Sequence, residues 1–180
     1  MPPTRERVLD AAVDLLAEGG VRALTHLRVD DRAGLPRGST SNHFRTRSAL
    51  VSGVVDRILE LEVPEVGRAF EPTSLDELVD GMCALYRRTT VTNRTLTAAR
   101  LALFVEARHQ PDLGEALSRG RAAMVEQIVP TLDRIGARDP EVAARAIASC
   151  FEGLILHDVA RGDRSDPEPV LRLVVRGALA

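Results

Sequence analysis

Apolar residues recur three and four positions apart along almost the whole chain, and two-residue alternation is nearly absent. That is the pattern of amphipathic helices. Val8, Ala12, Leu15 and Leu16 share one face of a first helix, which starts after Thr4 and ends at Gly19 and Gly20. A short second helix follows Thr25 and stops at Gly34, a residue suited to a left-handed helix end. Pro36 fits the first turn of a third short helix reaching about Phe44. Thr46 can cap a fourth, longer helix with the stripe Leu50, Val54, Ile58 and Leu61. Pro64 and Pro72 bracket a boundary. Beyond it, Ser74 and Glu77 have capping-box spacing, ahead of the face Leu75, Leu78, Val79, Met82 and Tyr86. The run 101–105 is apolar all round and predicts a helix buried in the centre of the second region. A further helix follows Pro111, with a kink or break predicted at Pro130. Asp139 and Asp166, each followed by proline, open the last two helices, which Gly162 separates. The pattern predicts an all-α fold of about nine helices. Residues 1–46 form a three-helix domain and 47–180 a second helical region, with helix 47–62 as connector.

Composition narrows the class. A chain of 180 residues is long enough for one large domain or two small ones. It has no apolar run of bilayer length, and its N-terminus lacks the basic-then-apolar order of a signal peptide. The expected location is the cytoplasm, with no membrane partner. Cys83 and Cys150 lie far apart, each inside an apolar helical pattern, and read as reduced core thiols. The formal net charge of −2 does not advertise nucleic-acid binding. Its distribution does: residues 22–50 hold six arginines against Asp30 and Asp31, a local net of +4.

Two short helices joined by a tight turn at Gly34 make a helix-turn-helix. The first braces the second, and the second must enter the major groove with small polar and basic groups outward. Arg37, Ser39, Thr40, Ser41, Asn42 and His43 supply such groups. Gly38 allows close backbone approach to DNA, and Phe44 is expected to turn inward and pin the helix.

Residues 4–54 resemble the tetracycline-repressor (TetR/AcrR) family of bacterial regulators. The likeness rests on Val8 to Ala12, Gly20, Leu24 and Thr25, Arg32 to Leu35, Gly38 to Thr40, His43 and Phe44, and Ala49 and Leu50. The resemblance implies a ligand-responsive transcription regulator. It would be a homodimer on a palindromic double-stranded operator, most simply a repressor, released by a small-molecule effector. It implies that Thr25 caps the bracing helix and meets phosphate. Gly38, Ser39, Thr40 and Asn42 would lie nearest base edges, with His43 near an edge or the backbone. Arg37 would meet a base or phosphate, and Arg47, where the family usually has Lys, would hold phosphate. Two positions depart from the family pattern. Ser41 stands at a common Tyr and has a shorter reach to phosphate. Asp30 stands at a usual small Ala; facing solvent, its carboxylate would cost DNA affinity.

Other candidate chemistry is sparse. Glu106 and His109 have a spacing that can hold a metal, but no second ligand pair accompanies them, so no metal site is expected. His157 and Asp158 read as a solvated face or dimer contact rather than an acid-base dyad. With no phosphate loop, nucleophile elbow or paired carboxylates, neither an enzyme nor a cofactor is expected. Met82, Tyr86, Leu101, Phe104, Val105, Arg108, Met124 and Phe151 are candidates to line an effector cavity, Arg108 serving an anionic ligand if buried. Ile147, Cys150, Leu154 and Ile155, with Leu171, Val174 and Val175, form two apolar faces suited to a four-helix dimer interface. The main rival reading is a helical protein-interaction module whose helix-turn-helix no longer reads DNA; a second is a small helical enzyme using the cavity.

Overall fold

The computed structural model describes residues 3–69 and 71–179, with the backbone alone at residues 68, 69 and 112. The described residues form nine α-helices: α1 (Thr4–Gly19), α2 (His26–Ala33), α3 (Ser39–His43), α4 (Arg47–Ala69), α5 (Leu75–Arg87), α6 (Arg94–Ala107), α7 (Pro111–Arg134), α8 (Pro140–Arg161) and α9 (Glu168–Leu179). A 3₁₀ turn at Val21–Ala23 precedes α2, and a π-helical turn at Arg88–Thr92 follows α5.

The helix ends follow local chemistry. Gly34 closes α2 at φ 61°. There the Leu35 and Gly34 amides donate to the Asp30 and Asp31 carbonyls, a Schellman arrangement. Ser74 accepts from the Glu77 amide at 3.2 Å. The reciprocal half of that box is shifted, since the Glu77 carboxylate takes the Thr73 amide at 2.8 Å. Asp139 caps α8 through the Val142 amide, and Gly162 ends α8 at φ 71°.

Four expectations are corrected. Pro36 precedes α3 instead of opening it, and Gly38 at φ 91° is the cap residue. Pro64 lies inside α4, which runs on to Ala69 with one backbone bond missing. Pro130 likewise sits in the last turn and a half of α7 without ending it. The run 101–105 does not form the centre of the second core: Ala99 and Leu103 are buried in the same apolar cluster as α1 and α4, while Val105 is 76 % exposed.

The chain divides into two compact units. The first comprises residues up to Glu60 together with Thr95–Ser118. Its core holds Val8, Leu9, Ala12 and Leu16 of α1, Val29 of α2, Phe44, and Leu50, Val54 and Ile58 of α4. Leu103, Leu113 and Leu117 complete it. Each fully buried aliphatic side chain of this size contributes about 1.5–3 kcal/mol. The second unit comprises Leu61–Arg94 and the chain from Arg119 onward. Its core holds Leu78, Val79 and Met82 of α5, Ile128 and Leu132 of α7, Ile147 of α8, and Leu171 and Val175 of α9.

Candidate nucleic-acid interface

The arrangement of α2 and α3 begins with a conflict at Gly38. Its positive φ demands glycine, so the cap position of α3 has no side chain to accept from the first helical amides. Asp30 of α2 fills that role from outside the helix. Its Oδ2 accepts from the Gly38 amide at 2.7 Å, and its Oδ1 from the Thr40 amide at 2.7 Å and the Thr40 hydroxyl at 2.5 Å. Burial on its own would raise the Asp30 pKa. The Thr40 hydroxyl, the Thr40 and Gly38 amides and nearby His26 outweigh it and hold the carboxyl below its ordinary value of 3.8.

At its other end α3 meets His26, one turn before Asp30 on α2. His26 Nε2 lies 2.6 Å from the Phe44 carbonyl. A carbonyl only accepts, so this nitrogen carries the proton. Phe44 is buried against Leu9 and Gly53, with the Arg5 guanidinium 5.6 Å above its ring. The end of α2 is held as well: Arg7 of α1 donates to the Ala33 carbonyl at 2.7 Å.

The outward face of α3 consists of exposed Ser41, Asn42 and His43, with Arg37 and Gly38 exposed just before it. Ser39 is half-buried, and its hydroxyl donates to the Pro36 carbonyl at 2.6 Å. Two residues depart from expectation. Thr40, expected near base edges, is fully buried and spent on Asp30. Asp30 is itself buried instead of facing solvent. The family resemblance put Thr40 near base edges and left Asp30 facing solvent, but a capping carboxylate needs donors inside.

The basic residues sort into two kinds. Arg32 turns back to α1 and grips both oxygens of Glu18, at 2.8 and 2.5 Å, so it adds no free positive charge. Arg22, Arg28, Arg37, Arg45 and Arg47 remain exposed. Arg47 spends one of its five N–H donors on the Val21 carbonyl at 2.6 Å, tying α4 to the turn before α2. Thr25 caps α2 as expected, through a long 3.4 Å bond from the Arg28 amide.

A family model described as bacterial regulatory proteins, tetR family, matches residues 8–54. A second, described as tetracyclin repressor-like, C-terminal domain, matches residues 73–180. The chain belongs to the TetR family. It is a helix-turn-helix DNA-binding transcriptional regulator and not an enzyme. The fold is similar to that of a transcriptional regulator from Rhodococcus sp. Rha1, at 18 % identity and a TM-score of 0.86, covering 98 % of this chain and 96 % of that one. A TetR-family member from Streptomyces coelicolor A3 matches at 23 % identity and 0.77, covering 99 % of each chain. Salmonella enterica GusR matches at 22 % and 0.78, covering 98 % and 95 %. No curated protein sequence matches.

The candidate effector residues of this TetR-family chain fall in both units. Leu101, Phe104, Val105 and Arg108 belong to the first unit, and Met82, Tyr86, Met124 and Phe151 to the second. Arg108 and Val105 are exposed, and Met82 is core. Tyr86 is buried, meets Phe151 edge-to-face at 6.3 Å and donates to Asp158. Asp158 is therefore no solvated face. It also receives Arg94 at 2.6 Å, and Arg94 donates to the Asp158 carbonyl, covering the negative end of α8.

The candidate dimer residues also need correction. Ile147, Ile155, Leu171 and Val175 are core of the second unit, and Cys150, Leu154 and Val174 are half-buried. The exposed large apolar side chains of α8 and α9 are instead Val142, Leu156, Val170 and Leu173. An open groove of about 320 Å³ between these helices is lined by Val142, Ala146, Val174 and Gly177 together with Arg138 and Asp139. Periodicity found the helices, but Ile147, Ile155, Leu171 and Val175 lie on their inner faces. Among the described residues no helix is long and apolar enough to cross a membrane, and no cluster of three metal-ligating side chains occurs.

Proposed function

We propose that this regulator is a repressor that binds a two-fold symmetric operator as a homodimer and is released by a small molecule. The observation that carries the reading is the exposed row Ser41, Asn42 and His43 on α3, flanked by exposed Arg28, Arg37, Arg45 and Arg47. Short polar groups suit base edges in the major groove, and guanidinium groups suit phosphates. In this reading Thr25, Gly38 and Ser39 approach the backbone, and Thr40 acts only through Asp30. The protein works beside the chromosome, in the cytoplasm.

Pairing follows from affinity. One five-residue reading helix offers few contacts, whereas two linked heads make the second contact intramolecular. The surface for pairing is α8 and α9. Val142, Ala146, Ser149, Gly153 and Leu156 fall at spacings of four, three, four and three, the seam of a helical bundle. Val170, Leu173 and Gly177 mark the matching side of α9.

Release requires an effector whose affinity differs between two spacings of the heads. Residues 47–60 of α4 belong to the first unit and 61–69 to the second, which makes α4 the lever. Tyr86, Met124 and Phe151 are the groups of the second unit suited to meet an effector.

Selection from a random duplex library at moderate salt tests the proposal. Enrichment of an inverted repeat supports a dimeric reader. Salt-sensitive binding with no enriched sequence rejects it.

A further inference from the structure

Helix α3 has five residues, Ser39, Thr40, Ser41, Asn42 and His43, and none of them is a strong helix former. A helix this short cannot sustain itself, because nucleation costs more than one turn of hydrogen bonds returns. Its shape must come from neighbours. Two of them stand one turn apart on α2 and take its opposite ends. Asp30 accepts from the Gly38 and Thr40 amides at the start, and His26 donates to the Phe44 carbonyl at the finish. The signs match the backbone dipole, with an anion at the amide end and an N–H donor at the carbonyl end. Both side chains are engaged with backbone groups at the ends of α3, and Asp30 is 1 % exposed and His26 half-buried.

We propose that His26 and Asp30 are a pair of positioning residues that set the orientation of the reading helix, so that sequence selectivity depends on two side chains that touch no base. The inference rests on the proposed DNA reading. Phosphate contacts come from arginines on other segments, and they survive a tilt of α3. Base contacts do not, because hydrogen bonds weaken steeply outside a narrow range of distance and angle. Loss of the pair therefore separates selectivity from general affinity.

The test compares binding of the full chain to its selected operator and to random duplex. The proteins are wild type, Asp30→Asn, His26→Ala and His26→Gln, each with a thermal melt. Asn keeps the shape of Asp but sets an amide N–H among donors. Gln can restore a donor near the Phe44 carbonyl, whereas Ala cannot. In Asp30→Asn and His26→Ala the operator-to-random ratio is expected to fall about tenfold or more, with random-duplex affinity and its salt slope retained. His26→Gln recovers most of the ratio. If Asp30→Asn melts below the assay temperature, the two His26 variants decide alone. Folded variants that keep the wild-type ratio, or that lose both affinities equally, overturn the inference. A wild type that selects no sequence overturns the proposed function and this inference with it.

Discussion

Tyr86 of α5 donates a hydrogen bond to Asp158 of α8 at 3.2 Å, across 72 positions of chain. Burial first, and then the charge of Asp158 and the hydrogen bond to it, push the Tyr86 pKa from 10 up to about 12. The folded state thus favours the neutral phenol. This contribution to stability is complete below pH 10 and is lost as pH rises toward about 12. Tyr86 is the only tyrosine and there is no tryptophan, so tyrosinate absorbance reports this group alone. The native protein is expected to show no tyrosinate at pH 10, whereas the chain in denaturant is half ionised there. Equal titration curves in both states reject the contact.

The Asp30 carboxyl is displaced the other way. Its contribution is present above pH 3.8 and is lost as pH falls through the lower folded value. Replacing Thr40 with Val removes a hydroxyl bond to a buried charge and should cost about 1–3 kcal/mol at neutral pH. The stability gap between wild type and Thr40→Val should then narrow on acidification below pH 3.8. A gap independent of pH would show that Asp30 draws nothing from Thr40.

Gly53 sits in the middle of α4, where alanine would ordinarily gain about 1 kcal/mol of helix propensity. Here a Cβ would lie 2.5 Å from Phe44 Cε1 and 3.3 Å from Leu9 Cδ2. Both neighbours are core, so overpacking of about 1–3 kcal/mol should win. Gly53→Ala is expected to lower the melting temperature; a rise would mean the ring moves freely.

Leu173 is 71 % exposed and Ile147 1 %, which separates the proposed interface from the core. Leu173→Arg should leave protomer stability within about 0.5 kcal/mol, because the site is open to water. The same charge buried in a dimer should weaken association by about a hundredfold or more. Sedimentation of an unweakened dimer would move the interface elsewhere.

Arg47 has a structural bond to Val21 and a proposed phosphate contact. Arg47→Ala should reduce binding to operator and random duplex alike, and flatten the salt dependence by about one unit. If stability falls while the salt slope stays fixed, the Val21 bond is its whole purpose.

The helices and the reading motif were legible in the order of the residues alone. Gly34 and Gly162 could end α2 and α8 because glycine tolerates positive φ, and Asp139 before Pro140 could only open a helix. Phe44 could be read as an inward pin and Arg37, Ser39, Thr40, Ser41, Asn42 and His43 as outward groups; of these, Thr40 proved buried and Ser39 half-buried. Which neighbour covers each face was set by the packing of the helices. Periodicity says that residues share a side of a helix but not what lies opposite. Hence Asp30 and Thr40 looked solvent-facing until α2 and α3 met, and Ala99 and Leu103 joined the core of α1 and α4 instead of the second unit. The inner residues of α8 and α9 looked like an interface for the same reason. A polar side chain can be buried wherever donors from a distant segment meet it, and only the packing of the elements brings such donors to it.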